Sequence, residues 1–146
     1  MRPTVGCVLL ATAALAGCGD STIATPELRM QSTKLCQLAR KATDAAPTPS
    51  SAAGAQAFLA QGISVFRPEL QGLRALHPSG DVAPVYATAV GAFLHELSAL
   101  EAAERQLAQG GDPIATMRTL EAQLAPLEEQ QDDAWRALDI PACVTH

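Results

Sequence analysis

From about residue 51 onward, apolar side chains recur at alternating spacings of four and three. Leu59, Ile63, Phe66, Leu70 and Leu73 form one such stripe, the mark of a helix with one buried face. Tyr86, Val90, Phe93, Leu97, Leu100 and Leu107 form a second and longer one, interrupted only by Glu104. A third runs through Met117, Leu120, Leu124, Leu127, Gln131, Ala134 and Leu138. Upstream, Leu28, Leu35, Ala39 and Ala42 can share one face of a further helix. Four amphipathic segments with short connections bury their stripes most simply against one another. The expected fold is therefore all-α, an antiparallel up-down four-helix bundle.

Punctuation along the chain sets the boundaries. Thr25-Pro26-Glu27 offers a capping hydroxyl, a proline in the first turn and an acid that complements the helix dipole. Pro47 and Pro49 end that helix, and His77-Pro78-Ser79-Gly80 ends the next. Asp81 is expected to cap the third helix and Gly110-Gly111 to close it, after which Asp112-Pro113 caps and starts the fourth. Pro68 and Pro126 fall inside helical stripes, so each predicts a kink, and Pro68 predicts either that or a break into two pieces. No internal repeat is convincing.

The N-terminus is patterned differently. One positive charge at Arg2 precedes an uncharged run from Val5 to Leu15, which is too short to span a bilayer and ends in small residues. This is the layout of a signal peptide. The tetrapeptide Leu15-Ala16-Gly17-Cys18 behind it resembles the lipobox of bacterial lipoproteins. That resemblance implies cleavage before Cys18, diacylglyceryl and acyl chains (palmitate among them) on Cys18, and residence on the extracytoplasmic face of a bacterial cell membrane. The expected organisation is a signal peptide over 1–17, a lipidated tether over 18–25 and a helical bundle domain over 26–146. The competing reading is an ordinary signal peptide with a chance cysteine.

Charge then narrows the partners. The chain has 10 basic and 15 acidic side chains, and loss of the signal peptide would remove only Arg2. Lys34 and Lys41 are the only lysines. No basic patch exists to neutralise nucleic-acid phosphates or to hold an anionic lipid surface. The expected partners are the membrane, through the acyl anchor on Cys18, and an envelope protein, with no nucleic acid.

Acylation of Cys18 and loss of Cys7 leave two cysteines in a compartment where disulfides persist. An up-down-up-down path brings the C-terminus back beside the first helix, so Cys36 and Cys143 are expected to be bonded. The alternative, a pair of free thiols in a redox or metal role, has no Cys-x-x-Cys or nearby histidine behind it. Cys36-Gln37-Leu38-Ala39, Leu73-Arg74-Ala75-Leu76-His77-Pro78, Gly111-Asp112 and the closing Leu138-x-Ile140-x-x-Cys143 run resemble the small helical secreted lipoproteins common in actinobacteria. That resemblance implies a bundle tied by a disulfide between the first helix and the tail, and it implies no activity. The chain departs from the pattern at Asp139, where glycine would serve as a left-handed cap.

Chemistry is sparse. A di-iron bundle needs Glu-x-x-His on two helices plus two further glutamates, and this is absent. His77, His95 and His146 are dispersed, and His95 reads as a partly exposed surface residue. No serine has the context of a nucleophile. Glu128-Glu129 and Asp132-Asp133 near Arg136 read as a solvated helix face. No catalytic residue, metal ligand or cofactor is expected, and the reading is of a non-enzyme. The alternative is a binding protein for a small apolar ligand, in a pocket lined by Phe66, Phe93 and Leu127. Trp135 is read as packing at the bundle edge, with an exposed anchor for a partner as the other option.

Overall fold

A computed structural model describes residues 22–47, 49 and 51–144. Cys7, Cys18 and His146 lie outside the described residues, as do the signal peptide and residues 18–21 of the tether. The chain folds as an all-α four-helix bundle: α1 (Thr25–Asp44), α2 (Ala55–Arg74), α3 (Val82–Ala108) and α4 (Pro113–Ala137). Single 3-10 turns lie before α2 (Ala52–Gly54) and after α4 (Pro141–Cys143).

Cross-helix contacts show that successive helices run antiparallel. Ile23 N–H donates to the His77 carbonyl, so the start of α1 meets the end of α2. Tyr86 O–H donates to the Leu73 carbonyl at one end of the α2–α3 pair, and the Gln56 amide donates to Glu104 at the other. The rings of Tyr86 and Trp135 meet edge to face at 5.7 Å between α3 and α4.

The helix ends show which local rules decide. Asp112 accepts the Ala115 N–H at 2.7 Å and is a true N-cap. Thr25 and Asp81 are not caps as expected. Ala24 holds the N-cap position of α1 and places Thr25 inside the helix, while Asp81 has helical dihedrals and its side chain makes no capping bond. At the end of α3, Gly110 adopts φ 86° while Gly111 N–H reaches the Gln106 carbonyl and Gly110 N–H the Leu107 carbonyl, a Schellman closure. The same closure ends α4. Asp139 sits at φ 59°, Ile140 N–H reaches the Trp135 carbonyl, and Asp139 N–H reaches that of Arg136. Asp139 therefore occupies a position that favours glycine, held in part by Arg29 at 3.5 Å. Replacing Asp139 by valine, which tolerates positive φ poorly, is expected to cost about 1–2 kcal/mol, with glycine neutral to within roughly 0.5 kcal/mol. Urea unfolding of the two variants checks this, and equal costs would contradict it.

Pro68 does not break α2, which runs unbroken from Ala55 to Arg74, and α4 likewise passes through Pro126. Both rings are exposed, so solvent can take up the carbonyls they leave unbonded. Gly72 lets α1 approach closely, since a Cβ there would come within 2.8 Å of Leu35.

The core has two parts. The larger joins Leu28 and Cys36 of α1, Leu70 and Leu73 of α2, Tyr86, Phe93 and Leu97 of α3, and Trp135 with the tail residues Ile140 and Cys143. The smaller, built on Leu59, Ala103 and Leu120, uses α2, α3 and α4 without α1. Beyond the middle of the bundle, α1 has thus left the shared core. Along its length it packs on α2 and on the Pro141–Cys143 turn rather than closely on α4. Cys36 and Cys143 are joined by a disulfide with their Cα atoms 5.1 Å apart. The tail is therefore a wedge between the first and last helices, bonded to α1.

Candidate functional site

The wedge leaves a cleft of about 410 Å³ between α1 and α4. One wall is Ala39, Arg40 and Thr43 of α1, and the other is Leu124, Glu128 and Gln131 of α4. Phe66 and Glu69 of α2 and Phe93, Glu96 and Leu100 of α3 form the floor, while Ala142–Val144 and the disulfide close one end. Arg40 fixes that end by donating to the carbonyls of Ala142 at 3.3 Å and Val144 at 3.1 Å. Arg29 adds a bond of 2.8 Å to the Leu138 carbonyl. The two arginines are thus spent on backbone oxygens of the tail, which otherwise lack helical partners.

The floor combines aromatic and acidic groups. Phe66 and Phe93 meet edge to face at 5.9 Å, and each has a glutamate three residues on, so both carboxyls follow their rings onto the cleft side. Glu96 is only 7% exposed. Its partner is Gln131, whose amide orientation is set by its neighbours. The side-chain oxygen accepts the indole N–H of Trp135 at 3.2 Å, which turns the nitrogen to donate to the two Glu96 oxygens at 2.5 and 2.8 Å. Trp135 is completely buried, in the core rather than on an interface, and its N–H orders this relay.

Burial pushes the Glu96 carboxyl up to about 8, with the negative charges of Glu128, Asp132 and Glu69 adding to the effect. Burial alone raises Glu69 to about 8. Tyr86, buried against Trp135 and the Leu73 carbonyl, is raised to about 12 by burial and stays neutral.

These shifts have a sign. A carboxyl whose folded pKa lies above its unfolded value binds protons more tightly in the native state. Its contribution to stability is complete below about 4.5 and is lost as the pH rises through about 8. Stability is therefore expected to fall between pH 5 and pH 8.5, by an amount on the order of a few kcal/mol once solvent access to Glu69 is allowed for. Thermal unfolding across that range measures it. Glu96→Gln, which keeps an acceptor for Gln131, should flatten the slope, and an unchanged slope would refute the assignment.

Several residues stand differently from their sequence reading. Glu96 and Asp132 belong to the buried set; Asp132 holds Arg136 at 3.1 Å, so the second acidic pair is only half solvated. Leu124, not Leu127, lines the cleft beside Phe66 and Phe93, and the lining is amphipathic rather than apolar. His77 and His95 are exposed. Among the described residues, no three carboxylate, imidazole or thiol groups stand close enough together to hold a metal ion. None of the described helices is long and apolar enough to cross a membrane. The side chains that line the cleft offer apolar surface, hydrogen bonding and charge.

Glu69 and Glu96 escape a search for catalytic motifs, but a signal for them exists. Phe66-x-x-Glu69 and Phe93-x-x-Glu96 repeat one spacing on neighbouring helices, and that spacing carries a glutamate onto the buried side in both. No family model, curated protein or solved structure matches this chain.

Proposed function

We propose that the mature protein is a non-enzymatic, lipid-anchored helical bundle on the extracytoplasmic face of a bacterial membrane, and that it works by binding a small molecule in the α1–α4 cleft. The cleft carries this reading. Its volume falls in the range of small-molecule sites, and it joins an apolar floor to a few convergent polar groups. The wedge of tail that props it open costs α1 its packing against α4, which a bundle built only for stability would keep. The anchor is the lipid on Cys18, since two or three acyl chains hold a protein durably without basic residues. The likeness to small actinobacterial lipoproteins agrees with the disulfide and adds no activity.

The anchor and the cleft are tested separately. Cys18→Ala is expected to leave the membrane fraction completely and to take up no labelled fatty acid. Retention of that variant in the membrane would remove the anchor from the proposal. For the cleft, small molecules that raise the unfolding temperature of the exported protein should lose their effect in Thr43→Trp. Thr43 lies on the cleft wall near the end of α1, and its hydroxyl bonds only carbonyls of its own helix. An indole there fills the opening at little cost to the fold. Ligands that stabilise Thr43→Trp as well as the parent would show that they bind elsewhere.

A further inference from the structure

We propose that the ligand of the α1–α4 cleft is a hydrophobic organic amine, its apolar body on Phe66, Phe93 and Leu100 and its ammonium group among Glu69, Glu96 and Glu128. This rests on the reading of the cleft as a binding site and names the chemistry that the site selects.

The first argument is the balance of charge. The cleft is lined by acids from all four helices: Asp44 of α1, Glu69 of α2, Glu96 of α3 and Glu128 of α4. Asp132 adds its field at Glu96 from one turn along α4. Arg40 is the cation in the lining, and it is turned to the carbonyls of Ala142 and Val144. Arg136 pairs with Asp132 and Asp133 outside the lining. An anionic ligand would be repelled by Asp44 and Glu128 and would oppose ionisation of Glu69 and Glu96, while an ammonium would pair with these carboxyls as they ionise.

The second argument is shape and hydrogen bonding. The partly exposed Phe66 ring, with Phe93 set edge to face beside it, gives the floor apolar surface for an alkyl or aryl group, and an aromatic face also attracts a cation directly. The Gln131 amide spends its donor on Glu96, and the other polar groups of the floor are the Glu69 and Glu96 carboxyls, which become pure acceptors when they ionise. The site is thus rich in acceptors, which calls for a ligand that brings N–H groups. A bare metal ion is disfavoured, since no three ligand groups among the described residues are spaced to share one.

Protons balance as follows. At neutral pH the raised carboxyls of the empty cleft are largely protonated. An ammonium ion entering pairs with a carboxylate, so a carboxyl O–H loses its proton to solvent and no bond to the ligand forms or breaks. Binding should release up to one proton for each carboxyl it ionises, and it should strengthen from pH 6 to pH 8 while the amine, with a pKa near ~10, stays charged.

Calorimetry of the mature exported protein with 4-phenylbutylamine, 4-phenylbutanol and 4-phenylbutyrate tests this, run in two buffers of different ionisation enthalpy. The amine is expected to bind about tenfold more tightly than the alcohol, the gain typical of one charge-assisted hydrogen bond. The acid should be weakest, and only the amine should release protons. Glu69→Gln with Glu128→Gln should cost the amine about tenfold and leave the alcohol unchanged. Equal binding of amine and alcohol, both abolished by Thr43→Trp, would overturn the amine while leaving the cleft as the site. Binding of the probes that Thr43→Trp does not alter would overturn the cleft itself.

Discussion

Replacing Cys36 and Cys143 together by alanine is expected to lower the stability of the bundle by on the order of 4 kcal/mol, because the bond closes a loop of 107 residues and so removes much of the freedom of the unfolded chain. Few single changes to this molecule should cost more. α1 leaves the shared core after Cys36, and its contact with the far side of the bundle runs through the Pro141–Cys143 turn. Without the bond, the tail is held by the Arg29 and Arg40 hydrogen bonds and by the burial of Ile140 and Val144. Exposed arginine bonds add little each. Urea unfolding of parent and double variant measures the difference at pH 7. A loss below about 1 kcal/mol would mean that tail burial alone fixes the wedge, contrary to the loop-entropy account.

The same change bears on the cleft. Cys36 and Cys143 lie in its lining, and the residues beside them close one end. A loosened tail widens the opening and frees Arg40 from its carbonyls to compete with a bound cation for Glu69 and Glu128. Stability and ligand affinity should therefore fall together in the double variant, although neither cysteine touches the proposed ammonium position.

Much of the bundle could be read from spacing. Leu59, Ile63, Leu70 and Leu73 are buried where the four-three pattern puts them, as are Tyr86, Phe93 and Leu97. The Asp112 cap and the paired glycines after α3 act as their residue types suggest. The disulfide followed from elimination and from the path of the chain. What spacing could not give is the uneven meeting of helices. Periodicity describes one helix at a time, whereas the cleft exists because a three-residue turn displaces α1 from α4. Glu96 shows the same limit. It is adjacent to Leu97 in the stripe, and a carboxylate there reads as surface until Gln131 and Trp135 of another helix are known to satisfy it. Phe66 continues the buried stripe of α2 but is only partly buried, packing on the core with one side on the cleft floor. Thr25 and Asp81 have the residue types of caps, but α1 starts one residue early, with Ala24 at its cap position, and Asp81, though at the cap position of α3, has helical dihedrals and no capping bond from its side chain.

Trp135→Ala is expected to cost about 3–5 kcal/mol, the range for removing a buried aromatic side chain and leaving a cavity. Trp135 is fully buried, packs edge to face on Tyr86 and lies beside the Schellman closure that its own carbonyl helps to form. Trp135→Phe is the more informative variant. It keeps a ring against Tyr86 but loses the indole N–H, so the Gln131 oxygen is left buried without its donor, at roughly 1–3 kcal/mol. Gln131 then has a way to recover. With no N–H to hold its orientation, the amide can turn over and accept a hydrogen bond from protonated Glu96, exchanging a donor to the carboxyl for an acceptor. In the parent, the donated N–H bonds favour the charged form of Glu96 and so oppose the effect of burial. After the turn, the hydrogen bond favours the neutral form, and Glu96 should titrate at higher pH in Trp135→Phe than in the parent. Carboxyl carbon shifts followed by NMR against pH resolve this directly, and unfolding by circular dichroism gives the stability. A Glu96 titration that stays in place or moves down in Trp135→Phe would show that the indole does not set the amide. An upward shift would establish that a buried tryptophan, one helical turn beyond Gln131 on α4, tunes the acid on the cleft floor.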